Sequence, residues 1–564
     1  MPNEAEERPT AVEPGLATVN QGFIFGLGPA QDSLLDFHPP PQLIPVYWQL
    51  YKENCDTIIK VLHVPTTESL ILQASQHLER VSKSLEVLLF AIYFVVVTSL
   101  SHEECLHILG GNKDNLLRTY KLSMEQALAR ASFLETEEMI VLQGFVIYLI
   151  ALRIHCSIRL MWTLTALAVR LAQNAGIHRD GTHFNLSPFE VEMRRRLWWN
   201  ICILDSRASE DSGYDAAIQH EGVDTRMPLN VNDSDLFPHM TEPPEPRVGV
   251  TEMIFSLVRF EATTVFRRLQ YMSAGSIGEC GKFHATKSLA EKGAWISKYR
   301  EFAEDLFFKH ANLSDPFSWY IAAICMIKLN KLWLVAHHPY LRRASCAGLP
   351  QESKDRLFLG SIQNIEYWLV LISDSRVRKW RWLCETYIQW YALAFLLSEL
   401  CTRAEGALVE RAWKAVNGAL QFGFKLSSSS SQSKGAASGQ RMALDEAHKP
   451  LSKLLQKARS ARAGSIPLGQ ISPEIQFGEN IASVSNIPPA FPTLGEEHLQ
   501  PNETILNYNM LESHLSTSAE FLFTELPPEA CQDLDLCDEM QYAHRPEFDS
   551  ETPAWMDWHY LLDE

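Results

Sequence analysis

The six residues from Leu186 to Val191 specify a helix start more fully than any other stretch of this chain. Ser187 stands where an N-cap hydroxyl accepts from an otherwise unpaired first-turn amide. Pro188 follows at the first helical position, where a missing amide proton costs nothing. Glu190 closes a capping box back onto Ser187, and Leu186 and Val191 occupy the two positions of a hydrophobic staple. Met193, Leu197, Ile201 and Leu204 then recur at helical spacing. Glu190–Arg194 and Glu192–Arg196 are pairs four apart in the favourable order, each contributing roughly 0.2–0.5 kcal/mol. Upstream, Leu160, Leu164, Leu167 and Leu171 mark one apolar helical face. Gly176 closes that helix, because glycine takes the left-handed conformation cheaply. Leu160–Ser206 therefore reads as a helix–loop–helix hairpin.

Helical periodicity persists from near Pro45 to about Lys425, and strand alternation is scarce, so the fold class expected is all-α. Residues 1–40, rich in Pro, Gly and acid, read as a disordered leader. Residues 41–425 read as one long helical region. Residues 426–500 read as a linker, opened by the Ser/Gly-rich Ser427–Gln440 and holding one short basic helix over Ala443–Ala461. Residues 501–564 form an acidic, aromatic tail. Two apolar runs, Val87–Val97 and Met139–Leu152, fall short of the roughly 20 residues that a membrane span needs. They read as buried helices, and no membrane partner is expected.

The formal net charge is −18, and 46% of residues are hydrophobic. A nucleic-acid binder needs a basic face, so this balance argues against autonomous DNA binding. The 11 cysteines are scattered without a C-x-x-C pair, most of them in apolar runs. That pattern suits buried thiols in a reducing, intracellular compartment.

Three segments in order carry a resemblance: LAVRLAQNAGIHRDG, EVEMRRRLWWNICILDSRASEDSG and DTRMPLNVNDSDLFP. Together they resemble the signature of the fungal-specific transcription factor domain, also called the middle homology region. The matching positions are Gly176 to Arg179, Glu190 to Trp199, Asp205 with Arg207, and Pro228 to Asp233. Further likenesses lie in His38–Thr66, in KLNKLWLVAHHPY and in the closing WMDW of Trp555–Trp558. The resemblance implies an all-α regulatory domain in a nuclear transcription factor. Such domains usually follow a six-cysteine, two-zinc cluster that reads the major groove. Here the first cysteine is Cys55, already inside the helical region, so direct zinc-dependent DNA binding is not expected of these residues. Two accounts stand: a natural variant without the finger, or an exon upstream of Met1.

The Arg194-Arg195-Arg196 run admits two readings, a phosphate or acidic-partner patch and a structural one. The structural reading pairs these arginines with Glu190, Glu192 and Asp205 to lock the hairpin, and it is the one taken. Trp198 and Trp199 are read as core rather than as an effector pocket. His178-Arg179-Asp180 and His337-His338 lack the partners that catalysis or a metal would need. No cofactor or metal is expected, and no nucleotide or nucleophile motif recommends an enzyme. The basic stretch His448–Arg462 is either a nuclear-import signal or a solvated helix face.

From residue 501 onward, fifteen acidic residues face one basic residue, Arg545. Phe521, Phe523, Trp555 and Trp558 are interleaved among them, with Asp557 between the two tryptophans. Self-repulsion keeps such a segment extended and its hydrophobes available to a coactivator groove. The alternative is a tail that docks back through Trp555 and Trp558. The function expected is therefore transcriptional regulation in the nucleus, of a metabolic (secondary-metabolite) gene cluster by what the resemblance implies. Transcription coactivators, a homo- or heterodimer with a DNA-binding factor, and a small-molecule effector are the partners considered. The rival readings are a dominant-negative partner of a full-length factor, and a helical small-molecule-binding or enzymatic protein that keeps only the scaffold.

Overall fold

The computed structural model describes residues 32–219, 222–271, 288–341, 351–385, 387, 389–403, 405–429 and 451–463. Among the described residues there are helices and turns and no strand. The first half comprises α1 (Ile44–Tyr51), α2 (Val64–Gln76), α3 (Lys83–Ser99), α4 (His102–Leu109), α5 (Lys113–Arg130), α6 (Met139–Leu152), α7 (Ile158–Asn174) and α8 (Pro188–Ser212). The second comprises α9 (Ile254–Tyr271), α10 (Leu289–Ala303), α11 (Pro316–Leu341), α12 (Gln351–Ser373), α13 (Arg381–Glu385), α14 (Trp390–Glu399) and α15 (Ala407–Ser429). A last helical stretch covers 451–463.

The two short apolar runs are the centre of the first core. In α3 every residue from Glu86 to Thr98 is buried, and α6 is buried on nearly all sides. A helix that is hydrophobic all round must be enclosed by others, and α3 lies against both α5 and α6. The α3–α6 crossing is close: a Cβ on Gly144 would lie 3.0 Å from Val87 Cγ1 and 3.3 Å from the Leu88 backbone. Within α11, Pro316–His337 is long and apolar enough to cross a membrane, but 83% of its most apolar window is buried inside the fold.

The hairpin forms as its chemistry dictates. Ser157 caps α7, and the capping box of Ser187 and Glu190 opens α8 behind Pro188. Leu186 and Val191 both crowd Gly181, so the two staple residues sit together. Gly176 takes φ +70°, with Ile177 N–H donating to the Ala172 carbonyl and Gly176 N–H to Gln173. That is a Schellman closure. The buried face of α7 runs through Met161, Leu164, Thr165, Ala168, Val169 and Ala172, with Leu167 and Leu171 packed partly buried beside it, and of the leucine stripe only Leu160 is exposed.

A second core gathers residues of α9–α12, α14 and α15. The 451–463 helix belongs to it through Leu451, Leu454 and Ala458, and Arg462 bonds Glu410 at 2.8 and 2.9 Å. Its basic residues thus decorate the outside of a docked helix. The chain also closes on its beginning. Trp380 Nε1 donates to the Glu53 carbonyl and Trp382 Nε1 to that of Asn54, both at 3.1 Å. Six cysteines (Cys55, Cys105, Cys156, Cys202, Cys325 and Cys384) are free and buried, and Cys401 is partly so.

Candidate functional site

The arginine run of α8 divides its three side chains among three tasks. Arg196 is fully buried; it donates to Glu192 Oε1 at 3.2 Å and to Asp233 Oδ1 at 2.6 Å. Asp233 opens the short turn after the Pro228–Asn232 loop, and Lys60, itself buried, holds its other oxygen at 2.9 Å. Lys60 also bonds Asp56, four residues earlier, at 2.6 Å and Glu252 at 3.2 Å. The backbone joins in. Val64 N–H donates to Asp233 Oδ2, His63 Nε2 lies 2.9 Å from the Asp233 carbonyl, and Leu229 N–H donates to Glu192 Oε2. One cluster therefore ties α8, the segment before α2 and the loop before α9.

The electrostatics follow from that geometry. Against the cost of burial, Arg196 and Lys60 hold the Asp233 carboxyl down to about 2. Burial pushes Asp56 up to about 6, only partly opposed by Lys60. Burial raises Glu192 as well, opposed by Arg196. An interior ion cluster holds together only when each charge has partners, and removing one member leaves the others uncompensated.

Arg195 turns the other way and grips buried Asp180 bidentately, both bonds 2.9 Å long. Asp180 also accepts from Arg226 N–H and Thr182, and its own N–H donates to Asp224. Against burial, Arg195 and these donors hold the Asp180 carboxyl well below the usual range. Arg194 donates to the Ala175 carbonyl at 3.0 Å, at the end of α7. The expected Glu190–Arg194 pair does not form, because the Glu190 carboxylate is folded back onto Ser187 in the capping box. Asp205 does not meet the arginines either. It accepts from Ala217 and Ile218 N–H, both at 2.9 Å, and so fixes the turn after α8. Trp198 is buried in the main core, while partly exposed Trp199 donates to the Arg226 carbonyl at 2.9 Å.

The remaining sequence candidates are simpler. His178 Nδ1 is buried without a hydrogen-bond partner, and Arg179 pairs with Asp224 at 2.9 Å. His337 is buried with Nδ1 near the Trp333 carbonyl. Among the described residues no group of three or more His, Cys, Asp or Glu side chains is placed to hold a metal ion. Phe521, Phe523, Trp555, Asp557 and Trp558 lie outside the described residues.

Sequence reasoning missed Lys60, Asp56 and Glu252. The available signal was a lysine inside an apolar run, with an aspartate four residues before it. The charged motif consumes its own hydrogen-bonding capacity: Arg194, Arg195 and Arg196 bind the protein's own loops and offer no ordered patch for phosphate. The most charged motif of α8 thus locks the protein's own loops in place.

Comparison with known proteins names the scaffold. Residues 46–276 match the model of the fungal specific transcription factor domain, so the chain carries that domain. The chain is 32% identical over 372 residues to the aurofusarin cluster transcription factor aurR2 of Gibberella zeae, covering 66% of this chain and 55% of that protein. It is 31% identical to the pyriculol/pyriculariol biosynthesis cluster transcription factor 1 of Pyricularia oryzae, over 70% of this chain and 53% of the relative. It is 28% identical to the C6 finger domain transcription factor nscR of Aspergillus fumigatus, over 77% and 54%. The chain thus spans about half the length of these relatives, which are named as transcription factors rather than enzymes.

Proposed function

We propose that this chain is the regulatory body of a nuclear transcription regulator that controls a secondary-metabolite biosynthetic gene cluster. The observation that carries the reading is the likeness to two relatives named as cluster transcription factors, over 66% and 70% of the chain. In this reading the helical body is the scaffold that presents the regulator to its partners. DNA contact is supplied from outside these 564 residues, by a partner factor or by a further segment of the same polypeptide. Residues 501–564 recruit coactivators through Phe521, Phe523, Trp555 and Trp558, set in an acidic and self-repelling tail.

The test tethers residues 501–564 to a heterologous DNA-binding domain beside a reporter gene. Activation that falls when Trp555 and Trp558 become alanine supports the reading. A silent tail refutes the coactivator role. Transcript profiling after deletion of the gene should show a contiguous set of biosynthetic genes falling together, and scattered changes would refute control of a cluster.

A further inference from the structure

The 451–463 helix is anchored to the body by one narrow apolar strip. Leu451, Leu454 and Ala458 are buried, and Leu455 packs partly buried beside them. Near its end Arg462 bonds Glu410 and lies 5.3 Å from the centre of the Trp413 ring on α15. That ion pair stands partly in solvent, where such pairs hold weakly. Lys457 sits beside Cys401, whose thiol burial raises and this lysine lowers. A helix of fewer than about 12–15 residues is marginal in water by itself. Leaving the body and losing helical form are therefore one event for this segment. Residues 430–450 tether it to α15, so it leaves and returns without being lost.

The outward face of the helix bears Ser452, Lys453, Gln456, Arg459, Ser460 and Ala463, all exposed. Ser460 stands in the densest basic setting on that face. Lys457 lies three residues before it, Arg459 directly before it and Arg462 two after it. Protein kinases choose their substrates by the charges that flank the hydroxyl, and an acidic substrate cleft suits this pattern. The position also makes a phosphate consequential. Ser460 is in the last turn of the helix, where the unpaired carbonyls concentrate partial negative charge.

We propose that Ser460 is a phosphorylation site for a base-directed protein kinase, and that its phosphate releases the 451–463 helix from the second core. In the step, Ser460 Oγ attacks the γ-phosphorus of ATP. The new P–O bond forms as the bond to the bridging β,γ-oxygen breaks; ADP departs, and the hydroxyl proton passes to the base of the kinase. The product carries a charge of about −1.5 to −2. In the docked helix that charge meets the negative end of the dipole and stands near Glu410, which Arg462 holds against α15. The flanking cations do not cancel this. Lys457 is engaged beside Cys401, and Arg459, an immediate neighbour in a helix, does not face Ser460. The released segment escapes both repulsions, because an extended chain has no macrodipole and hydrates its phosphate freely. Neither half of the proposal depends on what the body regulates.

The experiment incubates the full chain with ATP and the catalytic fragment of protein kinase C, a base-directed kinase. Mass spectrometry after cleavage at glutamate locates the phosphate, and hydrogen exchange of residues 451–463 reads docking. Phosphate is expected on Ser460, with exchange of the segment about tenfold faster once it is there. Kinase-treated Ser460→Ala should keep the slow exchange of the untreated chain. Arg459→Ala should slow the modification about fivefold or more and leave exchange of the unmodified chain unchanged, since this arginine points outward. The proposal is overturned if Ser460 takes no phosphate, or if exchange stays the same or slows once it does. Equal acceleration in treated Ser460→Ala, or an Arg459→Ala chain modified as fast as wild type, overturns it too.

Discussion

Replacing Arg196 by methionine keeps the length of the side chain and removes its charge from the most enclosed ion cluster of the fold. The wild-type guanidinium is completely buried and makes two charge-assisted bonds, at 2.6 Å to Asp233 and 3.2 Å to Glu192. Each such bond is worth about 1.5–3 kcal/mol, and breaking a buried pair on one side typically costs about 3–5 kcal/mol. The two estimates agree. After the change, Asp56, Asp233, Glu192 and Glu252 share Lys60 as the remaining cation of the cluster. Arg196→Met should therefore lose about 3–5 kcal/mol, a large part of the roughly 5–15 kcal/mol that holds a domain folded. The assay is urea unfolding of the full chain followed by far-ultraviolet circular dichroism. Arg194→Met is the internal control, because that side chain makes one bond to the Ala175 carbonyl and should cost about 1 kcal/mol. If the two variants unfold at the same urea concentration, the clamp does not hold the fold in the way described.

Two other substitutions test different parts of the structure. Asp56 has its carboxyl raised to about 6 by burial, against about 3.9 in an unfolded chain, so the native state binds this proton more tightly. Ionised Asp56 thus costs stability above pH 6, and that cost fades as pH falls toward 4. Asparagine mimics the protonated form, so Asp56→Asn should be less damaging, relative to wild type, at pH 8 than at pH 5. Equal urea-midpoint shifts at both pH values would refute this. Gly144→Ala should destabilise by about 1 kcal/mol or more, although alanine gains about 1 kcal/mol of helix propensity, because the new methyl meets the Leu88 backbone, which cannot yield. A rise in melting temperature would show that α3 and α6 can move apart.

Much of the fold was legible because its signals are local. The start of α8 is written in six consecutive residues, and the end of α7 in one glycine, so both appear where the chemistry puts them. The enclosed helices α3 and α6 declare themselves by having no polar face. The candidate site was legible only in part. Glu192–Arg196 is a local pair and could be read, whereas the partners of Arg195, Arg196 and Asp205 lie across loops at separations that periodicity does not encode. The leucine stripe of α7 marked its inward side except at the first turn, where Leu160 is exposed.

The bond between His63 and Asp233 joins residues 170 positions apart, and Lys60 meets the same aspartate from the same side. Nothing in α3 through α7 can complete that junction, so the segment from Asp56 to Val64 must wait for α8 and the 228–233 loop to arrive. A shortened chain that begins after Lys60 would lack more than two helical turns. It would carry an interior aspartate and glutamate with too few cations, and their repulsion would act on the loop that α8 is meant to hold. The smallest unit able to fold by itself therefore begins ahead of Asp56, and a nascent chain remains unfinished at this junction until Asp233 has left the ribosome.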